Sequence, residues 1–242
     1  MSKFDFAKAK KQALAAMTNN KLQLIVLGHS GSGKSYCTGT LNCKTLYLFG
    51  MKEDHGPKSA SNKGSDNIVP VCIDFGTWGD EKEERAYTAD ESYQVLAQIL
   101  NDYATLKSEG FEAIVLDGLS VLEGIVKDTA QWKEKCKSAS GKHNSFKESE
   151  ASQELMGNVI TWLKAAQREI DCHVIVTGII DVKAKDQYGA VEEAVPRLGG
   201  YGLCESLIQH FADVTVVGKM TRGAETKYKF QFMSDLSKVA KD

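Results

Sequence analysis

Eight residues, "GHSGSGKS" from Gly28 to Ser35, follow directly on the apolar run "LQLIVL". The spacing G-x-x-x-x-G-K-[ST] is that of a phosphate-binding loop. Glycine takes positive φ without steric penalty, so backbone N–H groups can close around an anion. A helix beginning near Gly33 would aim its positive end at the same place. Lys34 then reaches the β- and γ-phosphates, and Ser35 ligates Mg²⁺. The expected nucleotide-binding residues are Gly28, His29, Ser30, Gly31, Ser32, Gly33, Lys34, Ser35 and Tyr36. The loop also needs a buried strand before it and a helix after it. "LQLIVLG" (22–28) and "KSYCTGTL" supply both, with the helix running to about Leu41.

The rest of the chain alternates in the same way. Strands are predicted at 44–50, 68–76, 111–118 and 172–180, the second at a sheet edge because of Pro70. Two more, "ADVTVVGK" and "TKYKFQF", form a C-terminal hairpin. Helices are predicted at 3–18, from Thr88 to about Gly110, at 148–170 and at about 203–211. Residues 51–67, 128–147 and 181–202 read as loops. This is an α/β chain with a mainly parallel central sheet flanked by helices, and ligands at the carboxyl ends of the strands. The expected organisation is an N-terminal helical segment (1–20), one core (21–233) and a short tail (234–242).

Asp117 closes the apolar run "IVLD". A carboxylate at a strand end downstream of a phosphate loop is suited to hold Mg²⁺. Ser35 and Asp117 are thus the expected metal residues. Gly118 follows where a water-activating Glu often stands, so any hydrolytic carboxylate must come from elsewhere. "NKGSD" (62–66) has one residue too many for a guanine-reading N-K-x-D, which favours ATP over GTP. Only four arginines are present, Arg85, Arg168, Arg197 and Arg222, too few and too dispersed for a nucleotide-kinase lid.

The order of motifs resembles the RecA-like ATPase core. It looks most like the phage nucleotide-binding AAA-type domain family, which includes RecA-like phage single-strand annealing proteins. The likeness runs from Leu22 to Phe232 through "GHSGSGKS", "TLYLFGMKED", "AIVLDGLSVLEG", "HVIVTGI" and "AVPRLGGYGLCESLIQHFADVTVVGK". It implies a RecA-like P-loop fold with ATP and Mg²⁺ as cofactors. It also implies a catalytic carboxylate at the end of the strand beside the phosphate loop, taken here as 44–50. Glu53 is then the first choice, Asp54 the second and Asp74 the third, with Lys34, Glu53 and Asp117 as the catalytic set.

The resemblance further implies two DNA-facing loops, at about 128–147 and 181–202. In the first, residues 131–147 hold five lysines against one glutamate, a net of +4 in a chain of net charge −2. Trp132 and Phe146 would stack on bases. The expected DNA contacts are Trp132, Lys133, Lys135, Lys137 and Lys142 in the first loop, and Lys183, Lys185 and Arg197 in the second. RecA carries a Gln at the strand end before the second loop, whereas this chain has Thr177–Gly178. "FAKA" (Phe6–Ala9) matches an F-x-x-A docking pattern for a homo-oligomeric ring or filament. In such an assembly Arg197, Lys219 or Arg222 of a neighbour would be the cation reaching the γ-phosphate.

These features imply an ATP-hydrolysing phage recombination protein that binds single-stranded DNA and promotes annealing or strand loading. A single-strand binding protein would be a further partner. Two other classes stay open, a nucleotide-gated interaction module with little turnover and a DNA motor or packaging ATPase. The six cysteines are scattered with no C-x-x-C, which argues against a zinc site or a disulfide framework. No run approaches a membrane span and the first residues show no signal core. The expected location is therefore the cytoplasm.

Overall fold

The computed structural model describes residues 21–61, 67–77, 83–185, 191–199, 201–211, 213–222 and 225–233. The expected N-terminal helix, the Phe6–Ala9 pattern, "NKGSD" and the tail 234–242 lie outside these residues.

The elements run in the order β1 (Gln23–Leu27), α1 (Lys34–Thr38), β2 (Thr45–Phe49), α2 (His55–Ser61), β3 (Ile68–Cys72), β4 (Phe75–Gly76), β5 (Arg85–Ala86), α3 (Ala89–Asn101), α4 (Tyr103–Ser108), β6 (Ala113–Asp117), α5 (Leu119–Asp128), α6 (Ala130–Lys135), α7 (Glu148–Ile170), β7 (His173–Gly178), β8 (Ile180–Lys185), β9 (Val191–Pro196), α8 (Tyr201–Ile208), β10 (Asp213–Arg222) and β11 (Glu225–Met233). The main sheet has the order β11-β10-β1-β7-β6-β2-β3. Its six strands from β10 to β3 are parallel, and β11 closes one edge as the antiparallel half of the C-terminal hairpin. Pro70 lies in β3, at the opposite edge, where a missing N–H does no harm.

The parallel strands read as continuous apolar runs because both faces of the sheet are covered. Successive residues alternate between the two faces. Ile25, Leu46, Leu48, Ile114, Leu116 and Val176 enter the larger core, under α3, α5, α7 and α8. Val26, Tyr47, Val115 and Ile175 enter the smaller one, under α1 and α2. Asp117 shares the parity of Val115 and so points to the smaller, α1/α2 face.

Three segments expected as loops hold regular structure. In 51–67 a 3-10 turn (Met51–Glu53) leads into α2, because Pro57 sits in the first turn, where no N–H is needed, and Gly56, Pro57 and Ala60 are buried. In 128–147, Thr129 caps α6 by accepting from Trp132 N. In 181–202, β8 and β9 form an antiparallel hairpin. The helix expected from Thr88 to Gly110 is divided at Asp102, whose side chain accepts from Thr105 N and starts α4 anew. Gly110 closes that helix at φ 70°, as its position after the last apolar residue predicts. No helix among the described residues is long and apolar enough to cross a membrane.

Candidate nucleotide site

The carboxyl ends of β1, β6 and β7 meet at one open cleft of ≈ 640 Å³. The phosphate loop forms its floor. Gly31 and Gly33 hold φ of 71° and 95°, where any side chain would be strained. At Gly28 a Cβ would lie 2.7 Å from Val217 O, so the loop can pass β10 only as glycine. The loop is tied by Ser32 N to His29 O (3.1 Å) and by Gly28 N to Gly178 O (3.1 Å). Ser30, Gly31, Gly33, Lys34, Ser35 and Tyr36 line the cleft. Gly28 and His29 instead present their carbonyls to Lys34.

Lys34 Nζ donates to Gly28 O and His29 O, both at 3.0 Å. Burial lowers its pKa, and the nearby charges of Asp117 and Glu53 oppose that shift. Its hydrogen bonds are to neutral carbonyls, which an anionic phosphate would displace. The hydroxyl of Ser32 is buried and has no hydrogen-bond partner. A buried donor without an acceptor inside a phosphate-binding motif fits an anion that completes it.

Asp117 is 4 % exposed. Ser35 Oγ donates to its Oδ2 at 2.8 Å. Tyr47 Oη also donates to Oδ2, and Thr177 Oγ1 donates to Oδ1. Register explains the set: Thr177 lies directly opposite Asp117 in β7, while Tyr47 pairs with Val115, the diagonal neighbour in β2. The peptide between Asp117 and Gly118 is cis. No group of three or more His, Cys, Asp or Glu side chains gathers among the described residues to hold a metal ion. A divalent cation beside Ser35 and Asp117 would complete its shell with phosphate oxygens and water. The Ser35 hydroxyl spends its proton on Asp117 and keeps its lone pairs for a cation, so the donor set suits Mg²⁺.

The three carboxylates considered for water activation are placed differently. Glu53 lines the cleft together with Lys34, Ser35 and Asp117. Burial and then the Asp117 charge raise its pKa, while Lys34 lowers it. Asp54 pairs with Lys58 at 3.1 Å and with His55 at 3.6 Å and does not line the cleft. Asp74 accepts from Met51 N at 2.8 Å and lines a neighbouring hollow of ≈ 390 Å³ that shares Lys52, Glu53 and Ser120 with the cleft. One premise is corrected: β2 is not beside the phosphate-loop strand. β7 and β6 lie between them. Glu53 still reaches the cleft because the 3-10 turn and α2 fold back over the strand ends.

The expected first DNA-facing segment is corrected at Trp132. Its ring is 8 % exposed and its indole N–H donates to Ser152 Oγ at 2.9 Å, so it packs against α7 and offers no face to a base. Lys133 meets Asp128 (3.6 Å), Lys135 meets Glu154 (2.8 Å) and Lys137 meets Glu134. Over 128–154 the five lysines are matched by five acids, Asp128, Glu134, Glu148, Glu150 and Glu154. The cationic field expected from 131–147 is thus offset at Lys133, Lys135 and Lys137 by the acids paired with them. Lys142 is exposed, and Phe146 is 94 % exposed on a 3-10 turn. Lys183 and Lys185 fall on β8, and Arg197, exposed, follows β9.

Gly56 and Ser120, which line the cleft, and Tyr47, which bonds Asp117 behind it, carry no motif that marks them as part of the site. Tyr47 had a usable signal: a lone hydroxyl in the doubly buried run "TLYLF" must find a partner.

No protein-family model matches the chain, and no curated protein matches it. Among solved structures the chain is similar to a KaiC-like protein from the hyperthermophilic archaeon Pyrococcus horikoshii OT3, at 13% identity and a TM-score of 0.46, covering 87% of this chain and 78% of that one.

Proposed function

We propose that the chain binds ATP with Mg²⁺ and hydrolyses it. The observation that carries this reading is the convergence of Lys34, Ser35, Asp117 and Glu53 on one cleft above the phosphate loop. Lys34 leaves the Gly28 and His29 carbonyls for the β- and γ-phosphates. Ser32 gains an acceptor in the phosphate. Ser35 and Asp117 would hold Mg²⁺, which would supply charge neutralisation at the phosphates. Glu53 orients and deprotonates the attacking water, a role suited to a carboxylate whose pKa is raised by burial. The test is Mg²⁺-dependent phosphate release by the wild type. Absence of both ATP binding and release would overturn the reading.

The finer part of the proposal is a recombination ATPase whose partner is single-stranded DNA. Two observations support it. Phe146 stands 94 % exposed near Lys142 and Lys147, an aromatic face free to stack on a base. The β8–β9 hairpin also starts one residue after Ile179, which lines the cleft, so the Lys183 and Lys185 positions are tied to the nucleotide site. Stimulation of hydrolysis by single-stranded DNA is expected. Stimulation by duplex alone would favour a motor, and tight ATP binding without turnover would favour a nucleotide-gated interaction module.

A further inference from the structure

The surroundings of Asp117 contain more than phosphate-loop chemistry requires. A carboxylate has about four acceptor directions. Three of them are taken here by the hydroxyls of Ser35, Tyr47 and Thr177. A fourth group closes in without bonding: at Gly56 a Cβ would lie 2.4 Å from Asp117 Oδ2 and 3.0 Å from Tyr47 Oη. The first turn of α2 therefore walls the carboxylate beside Oδ2. Tyr47 is 0 % exposed, and its hydroxyl donates to Asp117 Oδ2.

We propose that Tyr47, helped by Thr177, sets the metal selectivity of this cleft by leaving Asp117 a single free direction toward the cation. The inference rests on the nucleotide reading above. Mg²⁺ takes a compact octahedral shell with one or two carboxylate oxygens, keeping waters and phosphate oxygens for the rest. Ca²⁺ takes six to eight ligands and commonly draws both oxygens of a carboxylate. With Oδ1 held by Thr177, and Oδ2 by Tyr47 and Ser35, Asp117 cannot swing to offer both oxygens. Tyr47 is thus a positioning residue acting through Asp117, and it touches neither cation nor phosphate.

The experiment is calorimetric titration of the full chain with a non-hydrolysable ATP analogue, in Mg²⁺ and separately in Ca²⁺. The wild type is expected to bind at least about tenfold more tightly with Mg²⁺. Tyr47→Phe frees one acceptor direction and should lose about 10–100-fold with Mg²⁺, the range for removing a group that orients a ligand. It should lose much less with Ca²⁺, so the preference collapses. A merely structural loosening would weaken both metals in proportion and leave the ratio unchanged, which overturns the proposal. So does a wild type that takes Ca²⁺ as readily as Mg²⁺. If Tyr47→Phe does not fold, Thr177→Val carries the same comparison from the other oxygen. Metal-independent binding, or none, in the wild type would instead overturn the nucleotide reading itself.

Discussion

Replacing Trp132 by phenylalanine separates a core indole from a base-stacking one. The side chain is 8 % exposed, and its N–H donates at 2.9 Å to the hydroxyl of Ser152, itself 0 % exposed. The substitution has two costs. The smaller ring gives up roughly 1–2 kcal/mol of apolar burial. The Ser152 hydroxyl loses its partner in a dry setting, which costs about 1–3 kcal/mol more. For a chain of this size each kcal/mol moves Tm by roughly 2–4 °C, so a fall of about 4–20 °C is expected by calorimetry. Ser152→Ala alone strands the indole N–H and costs a similar ~1–3 kcal/mol. The double variant removes both polar partners together, so its loss should be smaller than the sum of the single losses, with a coupling of about 1–3 kcal/mol. A Trp132→Phe protein with unchanged Tm but weakened single-strand binding would refute the burial argument and return the ring to the DNA.

Lys34→Ala should reduce ATP affinity at least about tenfold, read by equilibrium titration, because a charge-assisted phosphate bond is worth roughly 1.5–3 kcal/mol. Unaltered affinity would count against the loop as a phosphate site. Glu53→Gln should retain bound ATP and slow hydrolysis by about 10²–10⁴, the usual contribution of a positioned base. Normal turnover in Glu53→Gln together with loss in Asp74→Asn would transfer the role to Asp74. The same variant makes a pH prediction. Because folding raises the Glu53 pKa, the native state prefers the protonated form, and this contribution to stability is full at acid pH and lost as pH rises through the folded value. Glu53→Gln should therefore raise Tm of the nucleotide-free protein at neutral pH, with the gain vanishing below the ordinary glutamate range. A gain that persists or grows under acid would invert the sign and defeat the argument. For the proposed DNA partner, Phe146→Ala should leave Tm unchanged and weaken single-strand binding by about 1–3 kcal/mol. Lys142 and Lys147 changed together to Ala should flatten the salt slope by about 0.7 for each phosphate that is no longer neutralised; an unchanged slope removes these lysines from the interface.

The phosphate loop and Asp117 were legible because each rests on a short pattern whose chemistry demands particular residues at fixed spacing. The strands were legible because residues buried on both faces leave unbroken apolar runs. The β8–β9 hairpin was not, since an antiparallel pair outside the main sheet carries no such run, and Pro196 and the nearby glycines read as loop. Trp132 failed for a different reason. Composition placed it in a lysine-rich stretch, while the partner that buries it, Ser152, lies 20 residues on and one turn into α7. Charge failed the same way: the acids that neutralise Lys133 and Lys135 lie outside 131–147, in Asp128 and Glu154. Glu53 was reached through a wrong neighbour relation, since sequence order does not reveal that β7 and β6 lie between β1 and β2.

The feet of the β8–β9 hairpin stand side by side: Arg197 N donates to Ile179 O at 2.7 Å. Ile180 and Pro196 are themselves buried against the core, so β8 and β9 leave the fold from two anchored feet that already touch, and a ribbon of another length grafted beyond those feet need not strain the sheet beneath. Ile179, at one foot, also borders the nucleotide cleft. A grafted peptide at this point would sit on a socket wired to the cleft, which makes the hairpin the natural place to give this scaffold a different partner while leaving the phosphate loop untouched.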